Sequence, residues 1–186
     1  LHYKILRKSI DARKQPIFRL KMLISDNPIK KNIIERNYKD VNNAQRVIVV
    51  GAGPAGLFAA LKLIEEGIKP IIVERGKPVS ERKRDIAIIA RNQDLNEESN
   101  WCFGEGGAGT FSDGKLNTNV NTIYNQYVLE KFVSFGASSE ILIDTKPHIG
   151  TDILKECLKN LRKHLESLNV KIFFNQTVKK AIENYV

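Results

Sequence analysis

Glycines at positions 51, 53 and 56, followed by a glutamate at 74, form a set whose spacing has a definite chemical use. Gly51 suits a tight turn, Gly53 leaves bare backbone beside a ligand, and Gly56 lets a helix pack closely on the strands beneath it. Pro54 suits the first helical turn, where its missing N–H would have had no intrahelical partner, and Ala55 completes the small-residue run. The free amides and positive end of such a helix attract phosphate. Glu74 stands 18 positions after Gly56, where a carboxylate accepts hydrogen bonds from ribose hydroxyls and repels a 2′-phosphate. The set reads as a grip on the diphosphate and sugar of a dinucleotide.

The flanking residues supply the elements that such a grip needs. Val47 to Val50 is an unbroken apolar run, expected as a strand buried on both faces of a parallel sheet. A helix follows from Pro54, Ile71 to Val73 forms a second buried strand, and the whole from Arg46 to Gly76 reads as one βαβ unit. A lone glycine triplet is a weak signal. Here strand, turn, helix, second strand and terminal acid occur in order.

A second glycine cluster, FGEGGAGTFSDG at 103–114, holds glycines at 104, 106, 107, 109 and 114. A flexible linker would be serine-rich and monotonous. This segment instead carries Trp101, Cys102, Phe103, Phe111, Asp113 and Lys115 at set places, and it is expected to form the wall of a bound cofactor.

Elsewhere Ile5 to Ala12 is compatible with a helix. Phe18, Leu20, Met22 and Ile24 alternate with Arg19 and Lys21, which predicts a half-buried strand. A short helix is expected around Ile86 to Ala90, and another from about Thr122 to Phe135, ending at Gly136. The clearest helix runs from Asp152 to about Leu168, with Ile153, Leu154, Cys157, Leu158, Leu161, Leu165 and Leu168 on one stripe and Thr151 as its N-cap. Two strands, Val170 to Phe174 and Thr177 to Ile182, close the chain. The domain expectation is an N-terminal α+β extension over 1–44 and a nucleotide-binding domain over 45–186, with a second domain starting near 120.

Composition narrows the class. The net charge of +9 is uneven: residues 1–46 hold 12 Lys and Arg against 4 Asp and Glu, whereas 47–186 hold 18 against 17. Basic charge is thus a property of the first segment, which a solvated face explains more simply than a nucleic-acid or membrane contact. No apolar run reaches the length of a membrane span, and no signal peptide is visible. Cys102 and Cys157 are too few and too far apart for a disulfide framework, a zinc site or a dithiol mechanism. A reducing, cytoplasmic compartment is the expectation. Starting at Leu1 and stopping at Val186 after a strand-like stretch, the sequence reads as part of a longer protein.

GAGPAG with Glu74-Arg75-Gly76 resembles the FAD-binding fold of the glutathione reductase type. FGEGGAGTFSDGKL at 103–116, PHIGTD at 147–152 and SIDARK at 9–14 are similar to a family of little-characterised bacterial-type FAD-dependent dehydrogenases. The resemblance implies a Rossmann-like α/β fold with a parallel central sheet, and FAD as cofactor. It places Gly51, Gly53 and Gly56 against the FAD pyrophosphate, Glu74 on the adenosine ribose, and Arg75 at the adenine border. It also places Gly106, Gly107 and Ala108 beside the flavin ring or ribityl chain, and the backbone of Val178 against adenine. Arg82 matches an arginine that reaches the phosphates in related flavoproteins; from its own surroundings it reads equally as a solvated helix-surface arginine. A C-terminal Gly-Asp segment that closes over the flavin in this fold is not found in 115–186.

Flavin carries the redox chemistry, so protein groups have only to position and tune it. Glu105, Asp113, Lys115 and His148 are the polar candidates near the ring, as proton donors, a charge stabiliser or a proton shuttle. None is assigned a catalytic role, and substrate and electron partner stay open, NAD(P)H included. An NAD-dependent enzyme on the same βαβ unit, and a basic nucleic-acid-binding module on a Rossmann scaffold, are the competing readings. The first has no use for the 104–114 loop, and Tyr3 and Phe18 alone give the second thin support.

Overall fold

The computed structural model describes residues 1–29, 37–92, 95–116, 118 and 122–180. In chain order the elements are β1 (His2–Asp11), β2 (Ile17–Ser25), β3 (Arg46–Val50), α1 (Pro54–Glu66), β4 (Lys69–Val73), α2 (Val79–Asn92), α3 (Ile123–Ser134), α4 (Thr151–Ser167) and β5 (Lys171–Phe173). β3, β4 and β5 form a parallel sheet in that order, and β1 and β2 form a separate antiparallel pair. This is a mixed α/β arrangement of the kind that nucleotide-binding folds use.

The core lies where two amphipathic helices meet the sheet. Leu57, Leu61 and Ile64 of α1 and Leu158, Leu161 and Leu165 of α4 are buried with Ile72 of β4 and Phe132 of α3. These positions recur at helical spacing, so each helix presents one apolar stripe inward. α4 begins one residue earlier than its sequence suggests, with Gly150 rather than Thr151 at the N-cap. The Thr151 hydroxyl instead donates to the Ser112 carbonyl and ties α4 to the second glycine loop.

Several expectations need correction. The run 47–50 is a strand, but not one buried on both faces: Val47 and Val49 are half-buried, whereas Ile48 and Val50 are 64% and 67% exposed. β3 is the edge of the described sheet, and only its inner side meets α1. Residues 5–11 are strand rather than helix, and Ala12 lies just past the strand's end. β2 forms as expected, with the direct partners Ile24–Tyr3, Met22–Ile5, Leu20–Lys8 and Phe18–Ile10 sharing a face, but that face is exposed rather than half-buried. The helix expected near 86–90 is longer, Val79–Asn92. The last strand is absent from Thr177 to Lys180, and its remaining expected residues lie outside the described ones. The 1–25 pair meets the rest of the chain where the Lys8 amide donates to the Ile143 carbonyl and the Thr145 amide donates to that of Lys8.

No helix among the described residues is long and apolar enough to cross a membrane.

Candidate functional site

The ends of β3 and β4, the start of α1, the 102–107 loop and the 176–178 segment surround a cleft of about 360 Å³. Each wall has a local cause. Gly51 adopts φ +102°, a left-handed conformation in which glycine carries no penalty, and its amide donates to the Val73 carbonyl at 2.8 Å. The chain thereby doubles back over β4 and enters α1 with Gly53 as N-cap and Pro54 in the first turn. No side chain caps this helix, and its first turn holds no acid. Its leading amides have no intrahelical acceptor and, with the helix dipole, favour an anion.

Gly56 does what its spacing predicts. A Cβ there would stand 2.0 Å from the Gly51 carbonyl oxygen, so the close packing of α1 on the turn requires a bare backbone. Gly53 and Gly107 face each other across the cleft, and a Cβ on Gly53 would lie 4.0 Å from the Gly107 Cα. The two side-chain-free backbones come nearly into contact there and leave bare backbone on the cleft wall, along which a ligand can lie close.

Glu74 is 5% exposed at the end of β4. Its Oε2 accepts from the Ala52 amide at 2.7 Å, and its Oε1 accepts from the Gly76 and Gly104 amides at 2.8 and 3.0 Å. One carboxylate therefore ties the first glycine turn, the strand end and the second glycine loop together. Gly106 reinforces this seam by donating to the Ala52 carbonyl at 2.8 Å.

Beyond Glu74, Arg75 lies over the Phe103 ring at 4.2 Å and pairs with Glu98 at 2.6 Å. Amides of Asn175 and Gln176 donate to the carbonyls of Gly76 and Glu74 at 3.1 and 3.0 Å, which brings Gln176, Thr177 and Val178 to the cleft. Val178 is there by its place in the chain and not as part of a strand.

Of the sequence-identified residues, the structure brings Gly51, Gly53, Glu74, Arg75, Gly107 and Val178 to the cleft lining. Three others lie outside that lining. Gly106 points inward, where a Cβ would meet Thr110 and Leu158 at 2.2 and 2.3 Å; Ala108 is exposed outside the lining and opens a short 3-10 turn. Arg82 is not the solvated helix-surface arginine that its own surroundings suggest. It is fully buried behind the loop and donates to the loop's carbonyls. Burial pulls its pKa down to about 10, against the opposing charges of Glu74 and Glu105, so it stays protonated at neutral pH. Pro54 and Ala55 are exposed at the helix start.

The polar candidates for redox support are not at the cleft either. Glu105 is 1% exposed; it accepts from the Val79 amide at 2.7 Å, at the start of α2, and pairs with Arg162 at 3.0 Å. Burial raises its pKa, with the Val79 amide and Arg162 opposing. Asp113, Lys115 and His148 form an exposed cluster of their own: Asp113 pairs with Lys115 at 2.7 Å, and the His148 ring contacts the Asp113 carbonyl. Lys115 holds the Asp113 carboxyl below the ordinary range. No group of three or more His, Cys, Asp and Glu among the described residues could hold a metal ion.

Phe103 and Gly104 line the cleft as part of the loop expected to wall a cofactor, and Gln176 and Thr177 line it without having been singled out. The glycine and aromatic content of 103–104 was a usable signal. Gln176 and Thr177 had none beyond adjacency to Val178. Cys102 also lines the cleft and is exposed, whereas Cys157 is buried in the core and burial pushes its thiol pKa up. One thiol equivalent, Cys102, is therefore expected to react with a disulfide reagent in the native protein, and the second only after unfolding. Saturation with the cleft's ligand should slow the first.

Comparison with known proteins agrees with the chemistry of this cleft. Residues 44–96 match the family model described as an FAD binding domain. An uncharacterized protein of Clostridium beijerinckii is 38% identical over 195 residues, covering 95% of this chain and 36% of that protein. The chain thus spans about a third of the length of that relative. The match runs from residue 44 through β3, α1, β4 and α2, and it indicates FAD as the cofactor.

Proposed function

We propose that the cleft holds the adenosine diphosphate half of FAD and that the whole protein is an FAD-dependent oxidoreductase, a dehydrogenase with a Rossmann-like fold of the glutathione reductase type. The observation that carries this reading is the meeting of two side-chain-free backbones, Gly53 and Gly107, at an uncapped helix N-terminus beside a buried carboxylate. The α1 amides would hold the diphosphate. Glu74 has about four acceptor positions, and three are filled by backbone amides, which leaves one on Oε2 for a ribose hydroxyl. Adenine would lie past the ribose, against Phe103, Arg75 and the 176–178 backbone.

When bound, the flavin supplies hydride or electron transfer. This chain's own residues bind and orient the nucleotide, and no group on the cleft wall is placed to move a proton. A small-molecule substrate, a cytoplasmic setting and NAD(P)H as donor fit this class of enzyme and belong to the proposal. Visible absorption of the purified protein tests it: flavin bands that bleach with reductant are expected, and FAD is expected by mass after denaturation. A colourless protein that ignores added FAD, or one that releases NAD, would overturn it.

A further inference from the structure

Arg82 makes no contact that a surface arginine would make. It lies one turn into α2, fully buried, with both terminal nitrogens met by carbonyls and Nε without a hydrogen-bond partner among the described residues. Nη1 donates to the carbonyls of Glu105 and Gly107 at 2.6 and 3.0 Å; Nη2 donates to those of Asn100 and Trp101 at 2.9 and 3.1 Å. The two nitrogens thus hold opposite ends of one turn of chain. Between them, the stem of Arg82 fills the space that a side chain at Gly104 would need, since a Cβ there would sit 2.3 Å from the Arg82 Cδ. The Phe111 ring lies 5.0 Å from the guanidinium.

The loop so gripped is held on its other side by the Glu74 carboxylate and the Ala52 and Lys77 carbonyls, and its glycines make it costly to order. Gly104, Gly106 and Gly107 all have positive φ, and glycines lose more freedom on ordering than any other residue. Gly104 and Gly107, at and near the gripped ends, line the cleft; Arg82 does not. We propose that Arg82 is a positioning residue: it fixes residues 100–107 as the finished wall of the cleft before the cofactor arrives, and it is not itself a phosphate ligand. This rests on the reading that the cleft takes FAD. Arginine is required because one planar fork reaches four carbonyls, whereas a lysine ammonium is a single point with three donors.

The protein carries its own reporter, since Trp101 is the only tryptophan in the sequence and its carbonyl is one of the four acceptors. In Arg82→Lys without FAD, Trp101 emission is expected to shift to the red and its quenching by acrylamide to rise. FAD affinity is expected to fall roughly ten- to hundredfold, in proportion to the fraction of time the loop is formed. A phosphate-ligand role predicts the reverse: lysine keeps most of the affinity and Trp101 is unmoved, which would overturn the proposal. Should Arg82→Lys fail to fold, amide hydrogen exchange in the cofactor-free wild type tests the premise that the loop is formed before the cofactor arrives. The Gly104, Glu105 and Gly106 amides are expected to be protected, and exchange at open-chain rates would overturn the proposal. Protection and a Trp101 contrast in a protein that binds no FAD would support the positioning role while sinking the cofactor reading.

Discussion

Glu74→Ala is expected to lower the free energy of unfolding by about 3–6 kcal/mol and to abolish FAD binding at micromolar concentrations. The stability loss follows from what the carboxylate holds. Its loss strands the Ala52, Gly76 and Gly104 amides, and each buried donor left unmet costs about 1–3 kcal/mol. Against a typical total of about 5–15 kcal/mol, this is a large share. Glu74→Gln separates the two roles. Its amide oxygen can serve one side of the seam, but its NH₂ must then face an amide donor on the other, so an intermediate loss of about 1–3 kcal/mol is expected. Denaturant unfolding measures the first quantity and FAD titration the second. A Glu74→Ala protein with the wild-type midpoint would show that the carboxylate does not bind the two glycine loops together.

What could be read from the sequence divides along the same seam. The glycine turn, the helix behind it and the acid at the next strand's end are encoded within one local stretch, and their spacing was enough to place Gly51, Gly53, Gly56 and Glu74. Arg82 could not be placed in this way, because its acceptors lie 18 to 25 residues further along a loop whose path no local pattern reports. Burial of a strand's second face is also non-local: Val47 to Val50 reads as doubly buried, yet Ile48 and Val50 face outward among the described residues. β1 was mistaken for helix for a different reason. Its register shifts between Ile5 and Arg7, so Tyr3, Ile5, Lys8 and Ile10 share a face and the period of two is broken. β2, with no such shift, was legible from its alternation alone.

The cleft can be blocked without touching the fold, and Gly53 is the position that allows it. Its φ of −73° and ψ of 177° are ordinary for any residue, so a side chain there meets no backbone strain. Nor does it meet packed neighbours, the nearest atom to a Cβ being the Gly107 Cα at 4.0 Å. Gly53→Val should therefore unfold within about 1 kcal/mol of wild type, the difference being its poorer N-cap. Its methyl groups, however, project from the cleft wall where a ligand would lie against bare backbone, and forcing a diphosphate past them costs about 3 kcal/mol, a loss of roughly a hundredfold in FAD affinity. Gly109→Ala is the matched control, since a Cβ there meets nothing within 4 Å and Gly109 is not part of the cleft wall. That variant should bind FAD as wild type does. If Gly53→Val retains a full complement of FAD while remaining folded, the diphosphate does not lie against Gly53, and the cofactor must bind this protein at another face.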